Sequence, residues 1–295
     1  MKKVIIYAPF LSNYITLEPY TFIKNLEKCG WELVESSNIE NVRKLFQETC
    51  IILLVTYDGF DISTIPRSKD CILIYKYDDQ HFISNTRNYI ISNANYLISP
   101  YAYLTPRQNL TWIPYSCVDE YVEPLEFNNN PIQKIFLSGT VSNHYPFREY
   151  VVSLNDSRIV RLIHPGYDKN YSKDTKGVGF DYLKTLHTYL CCFVDASKYN
   201  YTMLKNFEIA AAGSLLLTDK ALGGELHRLG FIDNETCILC DKSTFLDKIS
   251  YILDPSNREV IDKIRLAGMK LARAKHLTSH RSLEFNNFVN EIVMA

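Results

Sequence analysis

Residues 50–56, Cys-Ile-Ile-Leu-Leu-Val-Thr, are apolar almost throughout. A strand with one face in water alternates apolar and polar side chains. A strand without that alternation must be covered on both faces, as central strands of parallel sheets are. Shorter runs of the same kind recur at 3–8, 31–34, 71–75, 96–99 and 111–113. Stretches of helical spacing lie between them. One spans 20–29, with Phe22, Ile23 and Leu26 on one side and Gly30 as its stop; another spans 41–48. Strands that alternate with helices predict an α/β fold, a parallel sheet with helices on both faces.

The pattern breaks at 114–124 (PYSCVDEYVEP) and at a polar joint, Asn128-Asn129-Asn130-Pro131, and then restarts. Strands are expected at 134–138, 159–163, 189–194, 214–218 and 237–239. Helices are expected at 146–154, 180–188, 222–229, 242–253, 257–274 and 280–294, and a polar loop at 167–179. A chain of 295 residues has room for two domains. The expected organisation is two Rossmann-like domains facing a cleft. They are 1–125 and 126–278, with 279–295 as a last helix packing back toward the first. Ligands in such sheets sit at the carboxyl ends of the strands.

Composition removes several classes. The formal net charge is -1, so no general field for nucleic acid or an anionic membrane exists. The opening MKKVIIYAPF has a basic pair but a short apolar run ended by Pro9, unlike a secretory leader. No run approaches the roughly 20 apolar residues that span a bilayer. A cytoplasmic protein is expected, in the host cell if the source is viral; low Gly with abundant Asn, Ile, Lys and Tyr suits an AT-rich genome. Without export, the eight cysteines are expected to be reduced core thiols. Cys237 and Cys240 have the spacing of a metal or redox pair but no second pair nearby. No G-x-G-x-x-G and no Walker loop is present, which disfavours a dinucleotide coenzyme or a P-loop nucleotide.

The densest chemistry lies in 198–219, KYNYTMLKNFEIAAAGSLLLTD. Thr202 or Asn200 can cap a helix here, Leu204, Phe207 and Ala211 line its core face, and Gly213 ends it in αL. Its free amides favour an anion such as a pyrophosphate. Lys205 and Glu208 share the other face at i, i+3. By themselves they also fit a surface ion pair.

LKNFEIAAAGSLLLTD resembles the sugar-nucleotide signature FExxAxGxxxLT of GT-B glycosyltransferases, and most of all the group-1-like family that includes spore-maturation CgeB-type proteins. WIPYSCVDEYVEP resembles the segment joining the two GT-B domains, with Cys117 at the usual glycine. KIFLSGT resembles the first strand and loop of the donor domain, and the tail through His276 to Arg281 resembles the family's HTYxHR ending. The resemblance covers about the last 185 residues and implies a glycosyltransferase that takes a nucleoside-diphosphate sugar to a hydroxyl of a glycan or protein acceptor. No metal and no cofactor beyond that donor are implied.

Carried onto this chain, Glu208 takes the ribose hydroxyls, since a carboxylate accepts two hydrogen bonds from a vicinal diol. Thr202 and the backbone around Met203, Leu204 and Lys205 meet the diphosphate, and Asn206 and Phe207 count among the substrate-binding residues. Lys198 or Arg148 adds positive charge as the leaving group departs. Gly139 and Thr140 line the donor site; His164, in His-Pro-Gly-Tyr at the end of an expected strand, is placed either to touch the base or sugar or to form a plain turn. Retaining relatives carry an E-x7-E pair, but Asn200 stands where its first glutamate belongs, so the stereochemistry stays open. For an inverting reaction the base is sought in YKYDDQHFI, at Asp78, Asp79 or His81, or at Asp58 after the preceding strand. The rival is a catalytically inactive glycosyltransferase-like protein that binds a glycan or a partner.

Overall fold

The computed structural model describes residues 1–56, 65–76, 85–102, 109–167, 170–172 and 175–294. Asp58, Asp78, Asp79 and His81 lie outside these residues. The chain divides into two compact units, one of Met1–Pro114 with Ser279–Ala295, the other of Tyr115–Thr278.

The first unit holds β1 (Lys2–Tyr7), α1 (Glu18–Lys28), β2 (Glu32–Glu35), α2 (Ile39–Gln47), β3 (Ile51–Val55), β4 (Cys71–Lys76), α3 (Asn85–Asn93), β5 (Tyr96–Ser99) and β6 (Leu110–Trp112). Its strands form one parallel sheet in the order β2-β1-β3-β4-β5-β6. The apolar run that set the expectation is β3, and all five of its residues are fully buried. Ile51, Leu53 and Val55 enter one core with Val42, Leu45 and Phe46 of α2. Ile52 and Leu54 enter the opposite core with Phe22, Ile23 and Leu26 of α1. Successive side chains point to opposite faces of a strand, so a strand without polar residues has two cores to fill. α2 starts two residues before the expected point because Asn38 caps it, its Oδ1 accepting the Asn41 N–H at 3.2 Å.

The second unit holds α4 (Asp119–Val122), β7 (Ile132–Leu137), α5 (Pro146–Ser153), β8 (Ile159–Arg161), α6 (Gly179–Thr188), β9 (Tyr189–Val194), α7 (Leu204–Ala211), β10 (Leu215–Asp219), α8 (Gly223–Arg228), β11 (Ile238–Cys240), α9 (Phe245–Leu253) and α10 (Arg258–Lys275). Its sheet is also parallel, in the order β11-β10-β9-β7-β8. Ile135, Leu137, Leu215 and Leu217 pack with Phe147 and Val151 of α5, Phe245 and Ile249 of α9, and Ile261 of α10. The last helix, α11 (Thr278–Met294), sends Phe285 and Val289 into the first unit's core.

The first unit ends at Pro114, earlier than residue 125, for a local reason. The Cys117 N–H donates to His276 O at 2.9 Å, and the Thr278 N–H donates to Cys117 O at 2.9 Å. The stretch entering the second unit is thus bonded to the stretch leaving it. Cys117 is fully buried there and has no positive φ, so the position needs no glycine.

Candidate functional site

The candidate site lies in the second unit, at the carboxyl ends of β7 and β9. These strands are neighbours, with Leu137 opposite Phe193. β7 runs into Ser138-Gly139-Thr140. Gly139 has φ +107°, and a Cβ there would lie 2.4 Å from Arg148 Nη1, 3.0 Å from Arg148 Cζ and 3.2 Å from Lys205 Nζ. The glycine lets the backbone turn and lets two cationic side chains lie directly against it. Both nitrogens surround the same point, so they are within about 6 Å of each other. At that separation two unit charges repel by about 3 kcal/mol at an effective dielectric near 20.

α5 presents Arg148. Its side chain is almost wholly buried and is held on three sides. Nη2 donates to Asp195 Oδ1 at 2.6 Å, Nη1 donates to Thr140 O at 2.8 Å, and the guanidinium lies 4.2 Å from the centre of the Tyr145 ring. The Arg148 backbone N–H donates to Asp195 Oδ2 at 2.8 Å. Arg148 Nε is buried with no hydrogen-bond partner. Asp195, the residue after β9, is fully buried. Burial pushes its carboxyl up more than Arg148 holds it down.

α7 presents Lys205 and Glu208. Among the described residues, no carboxylate lies within ion-pair distance of the Lys205 ammonium and no group accepts a hydrogen bond from it. Burial and the neighbouring Arg148 hold its pKa down at about 8, opposed by Glu208 and Asp195. Glu208 is 9% exposed. Its charge raises Lys205 and also raises the phenols of Tyr121 and Tyr182, whose first cause is burial. The carboxylate is therefore near enough to these three groups for its charge to act on each. The Tyr182 hydroxyl and Ser138 Oγ share a hydrogen bond of 2.6 Å.

His164 closes the cluster. Its Nδ1 accepts the Gly166 N–H at 3.0 Å, which leaves Nε2 as the protonated nitrogen of the neutral ring. Burial first, then Lys205 and Arg148, hold its pKa down at about 4. Its ring lies 4.6 Å from that of Tyr167, and the Tyr167 hydroxyl accepts from Thr140 Oγ1 at 3.4 Å. The arrangement can hold an anion against Lys205 beside the glycine loop, next to a carboxylate suited to a diol.

A family model described as "Glycosyl transferase-like" matches residues 140–287, half of the chain. The chain belongs to this family. Solved glycosyltransferase structures share its fold. The sucrose-phosphate synthase of Thermosynechococcus elongatus is 10% identical, with 100% of each chain covered and a TM-score of 0.68. An alpha-glucosyltransferase in complex with UDP-glucose and DNA containing an abasic site is 10% identical, with 98% of this chain and 99% of that one covered and a TM-score of 0.67. TarM of S. aureus, in a complex that includes UDP, is 13% identical over 84% of this chain and 57% of that one, with a TM-score of 0.55. No match is found among curated protein sequences. At these identities the structures show the fold, which is the expected GT-B arrangement of two parallel α/β domains.

Within this glycosyltransferase-like fold, Gly139, Thr140, Arg148, His164, Lys205 and Glu208 come together. Four other sequence candidates are placed differently. Thr202 does not cap α7: it is fully buried and its hydroxyl donates to Glu225. Met203 is the N-cap residue, and the fully buried Asn206 reaches back, its Oδ1 accepting the Met203 N–H at 2.8 Å while Nδ2 donates to Thr218 Oγ1 at 3.2 Å. Phe207 is fully buried against Phe231 and His276, on the helix face that packs inward. Lys198 is exposed, with its ammonium 5.2 Å from the centre of the Tyr199 ring. Asn200, the other expected cap, has φ +54° in the turn before α7, a conformation asparagine tolerates. Sequence reasoning missed Asp195 and Tyr145. Asp195 was findable as an acid at the carboxyl end of a buried strand, where such sheets place ligands. Cys237 and Cys240 are buried thiols pushed up by burial, Cys237 to about 12. Among the described residues no group of three or more His, Cys, Asp or Glu could hold a metal ion.

Proposed function

We propose that this protein transfers a sugar from a nucleoside-diphosphate donor to a hydroxyl of a glycan or protein. The observation that carries the reading is the pair of cations at Gly139, of which Lys205 has, among the described residues, no carboxylate of its own. Arg148 and Lys205 lie against one stretch of backbone, one carboxylate answers only the first of them, and a buried Nε is left without a partner. A diphosphate relieves that repulsion and supplies the missing acceptor. Glu208 takes the ribose hydroxyls beside it, and the His164 turn meets the base or the sugar.

The chemistry asked of these residues is stabilisation of the leaving diphosphate. Charge grows on it as the glycosidic bond breaks, and fixed cations in a partly dry site stabilise that charge without reorganising. Lys205 and Arg148 then do what a divalent ion does in other transferases, so we take the reaction as metal-independent. Activity that persists in excess chelator supports this, and activity lost to the chelator and restored by a divalent cation contradicts it. Asp58, Asp78, Asp79 and His81 remain candidates for a base on the acceptor side. The near-neutral charge of the chain gives no field for a nucleic-acid acceptor.

A thermal-shift screen against UDP-, GDP- and dTDP-sugars tests the reading, because a ligand bound only by the native state raises apparent stability. At least one should raise the melting temperature of the wild type, and Glu208→Ala should abolish the shift. A stabilising ligand together with no sugar transfer or donor hydrolysis would favour the inactive, binding-only alternative. No shift with any sugar nucleotide would remove the donor site.

A further inference from the structure

The donor reading leaves one buried carboxylate of the site without a part, and the following rests on that reading. We propose that Asp195 is the positioning residue of the anion site: it aims the Arg148 guanidinium at the Gly139 loop and sets how much positive charge remains there for a phosphate.

The geometry is a two-point grip. One carboxylate oxygen takes the backbone N–H of Arg148 at 2.8 Å, and the other takes its Nη2 at 2.6 Å. A carboxylate bound only to the main chain would cap α5 and leave the side chain free to swing. One bound only to the guanidinium would not tie it to the helix start. Holding both ends of the same residue fixes the path between them. Tyr145 stacks on the plane, and Thr140 O takes Nη1, so the remaining guanidinium edge has one direction left. The grip arises from the sheet: β7 and β9 are neighbours in register, so the glycine loop and Asp195 leave adjacent strand ends.

The charge argument is independent of the grip. Two cations against one loop would favour loss of the proton from Lys205, the one without a carboxylate of its own. Asp195 offsets one of the two charges and raises Lys205, whereas Arg148 lowers it. Asp195 therefore keeps Lys205 protonated, as phosphate binding needs, while Arg148 acts in the opposite direction. A carboxylate that merely tied β9 to α5 would affect stability but not this balance.

The test is calorimetric binding of inorganic pyrophosphate and of UDP from mildly acidic to alkaline pH, with wild type, Asp195→Asn, Arg148→Gln and the double variant. Wild-type affinity should fall as pH rises through the titration of Lys205. Asp195→Asn should weaken pyrophosphate at least about tenfold, since truncating one partner of a buried charged pair has effects of that size. It should also move the alkaline midpoint down. Arg148→Gln should weaken binding and move the midpoint up. At a pH where Lys205 stays protonated, the double variant should bind no more weakly than Arg148→Gln alone, because the grip acts through Arg148, whereas the direct effect of Asp195 on Lys205 is read in the midpoint. Unchanged affinity and midpoint in Asp195→Asn would overturn the proposal, whatever its melting temperature. If Asp195→Asn does not fold, Arg148→Gln decides: an unshifted midpoint there overturns it. Wild type that binds neither probe, nor any sugar nucleotide, removes the donor reading and this inference with it.

Discussion

Among the described residues the largest fully buried side chains are two arginines, and both lie in the second unit. Arg265, on α10, spends its guanidinium on structure. Nε donates to Gly213 O at 3.1 Å, Nη2 donates to Asn128 O at 3.1 Å, Nη1 meets Asp262 at 2.5 Å, and the group lies 4.7 Å from the centre of the Phe127 ring. It joins the end of α7 to the polar joint before β7. Arg148 has the same ingredients: burial, a carboxylate, a carbonyl and an aromatic ring. Yet its Nε has no partner, and a second cation lies beside it. Burial and charge are therefore poor signs of function by themselves. An incomplete hydrogen-bond account beside an unanswered charge is a better one, because such a cost calls for an explanation and a bound anion supplies one.

The contrast breaks most visibly at Arg265. Arg265→Ala strands the Gly213 and Asn128 carbonyls and leaves Asp262 to Arg258 alone, and each buried acceptor left without its donor costs about 1–3 kcal/mol. The melting temperature should drop by roughly 10 °C, while the molecules that stay folded bind donor with unchanged affinity. A lost donor affinity at full stability would reverse the roles assigned to the two arginines. Gly139→Ala comes next. Its Cβ would meet a guanidinium that Asp195, Thr140 and Tyr145 prevent from moving, at a positive φ. Donor affinity should fall by about 100-fold, and the strain should cost about 1–3 kcal/mol of stability. Binding as tight as wild type would mean the loop is not the anion site.

Lys205 sharpens the comparison through pH. Its pKa in the folded protein is lowered, so between about 8 and its ordinary value the unfolded chain binds more protons than the native one. Its contribution to stability therefore rises with pH through that window, the reverse of a salt-bridged lysine. A bound phosphate raises the same pKa, so donor affinity should be highest below about 8 and fall above it. Lys205→Met should raise the melting temperature of the unliganded protein at neutral pH and lose the pH dependence of binding. The smallest effect belongs to Lys198→Ala. An exposed cation over a ring contributes about 0.5–1 kcal/mol, and donor affinity measured by titration should change by less than about fivefold.

Most of the fold was legible because strands such as β3 carry no polar residue, and only a doubly covered parallel sheet accepts them. The site was legible where one short stretch carries its own chemistry, as Lys205 and Glu208 do three residues apart. Asp195 could be found only as an acid at a strand end; its pairing with Arg148 could not, since that partner is 47 residues away and the pairing follows from the neighbouring of β7 with β9. The cap of α7 was misassigned for a local reason. Thr202 has the right chemistry one residue too early, and its hydroxyl is taken by Glu225, while Asn206 reaches back to do the work.

The central claim is that Arg148 and Lys205 form a diphosphate site, and the most direct measurement is calorimetric titration of wild type and Lys205→Met with the sugar nucleotide that stabilises the protein most. Saturable binding to wild type, with affinity reduced at least about tenfold in a fully folded Lys205→Met, is the predicted result. Equal affinity in the two proteins would contradict it.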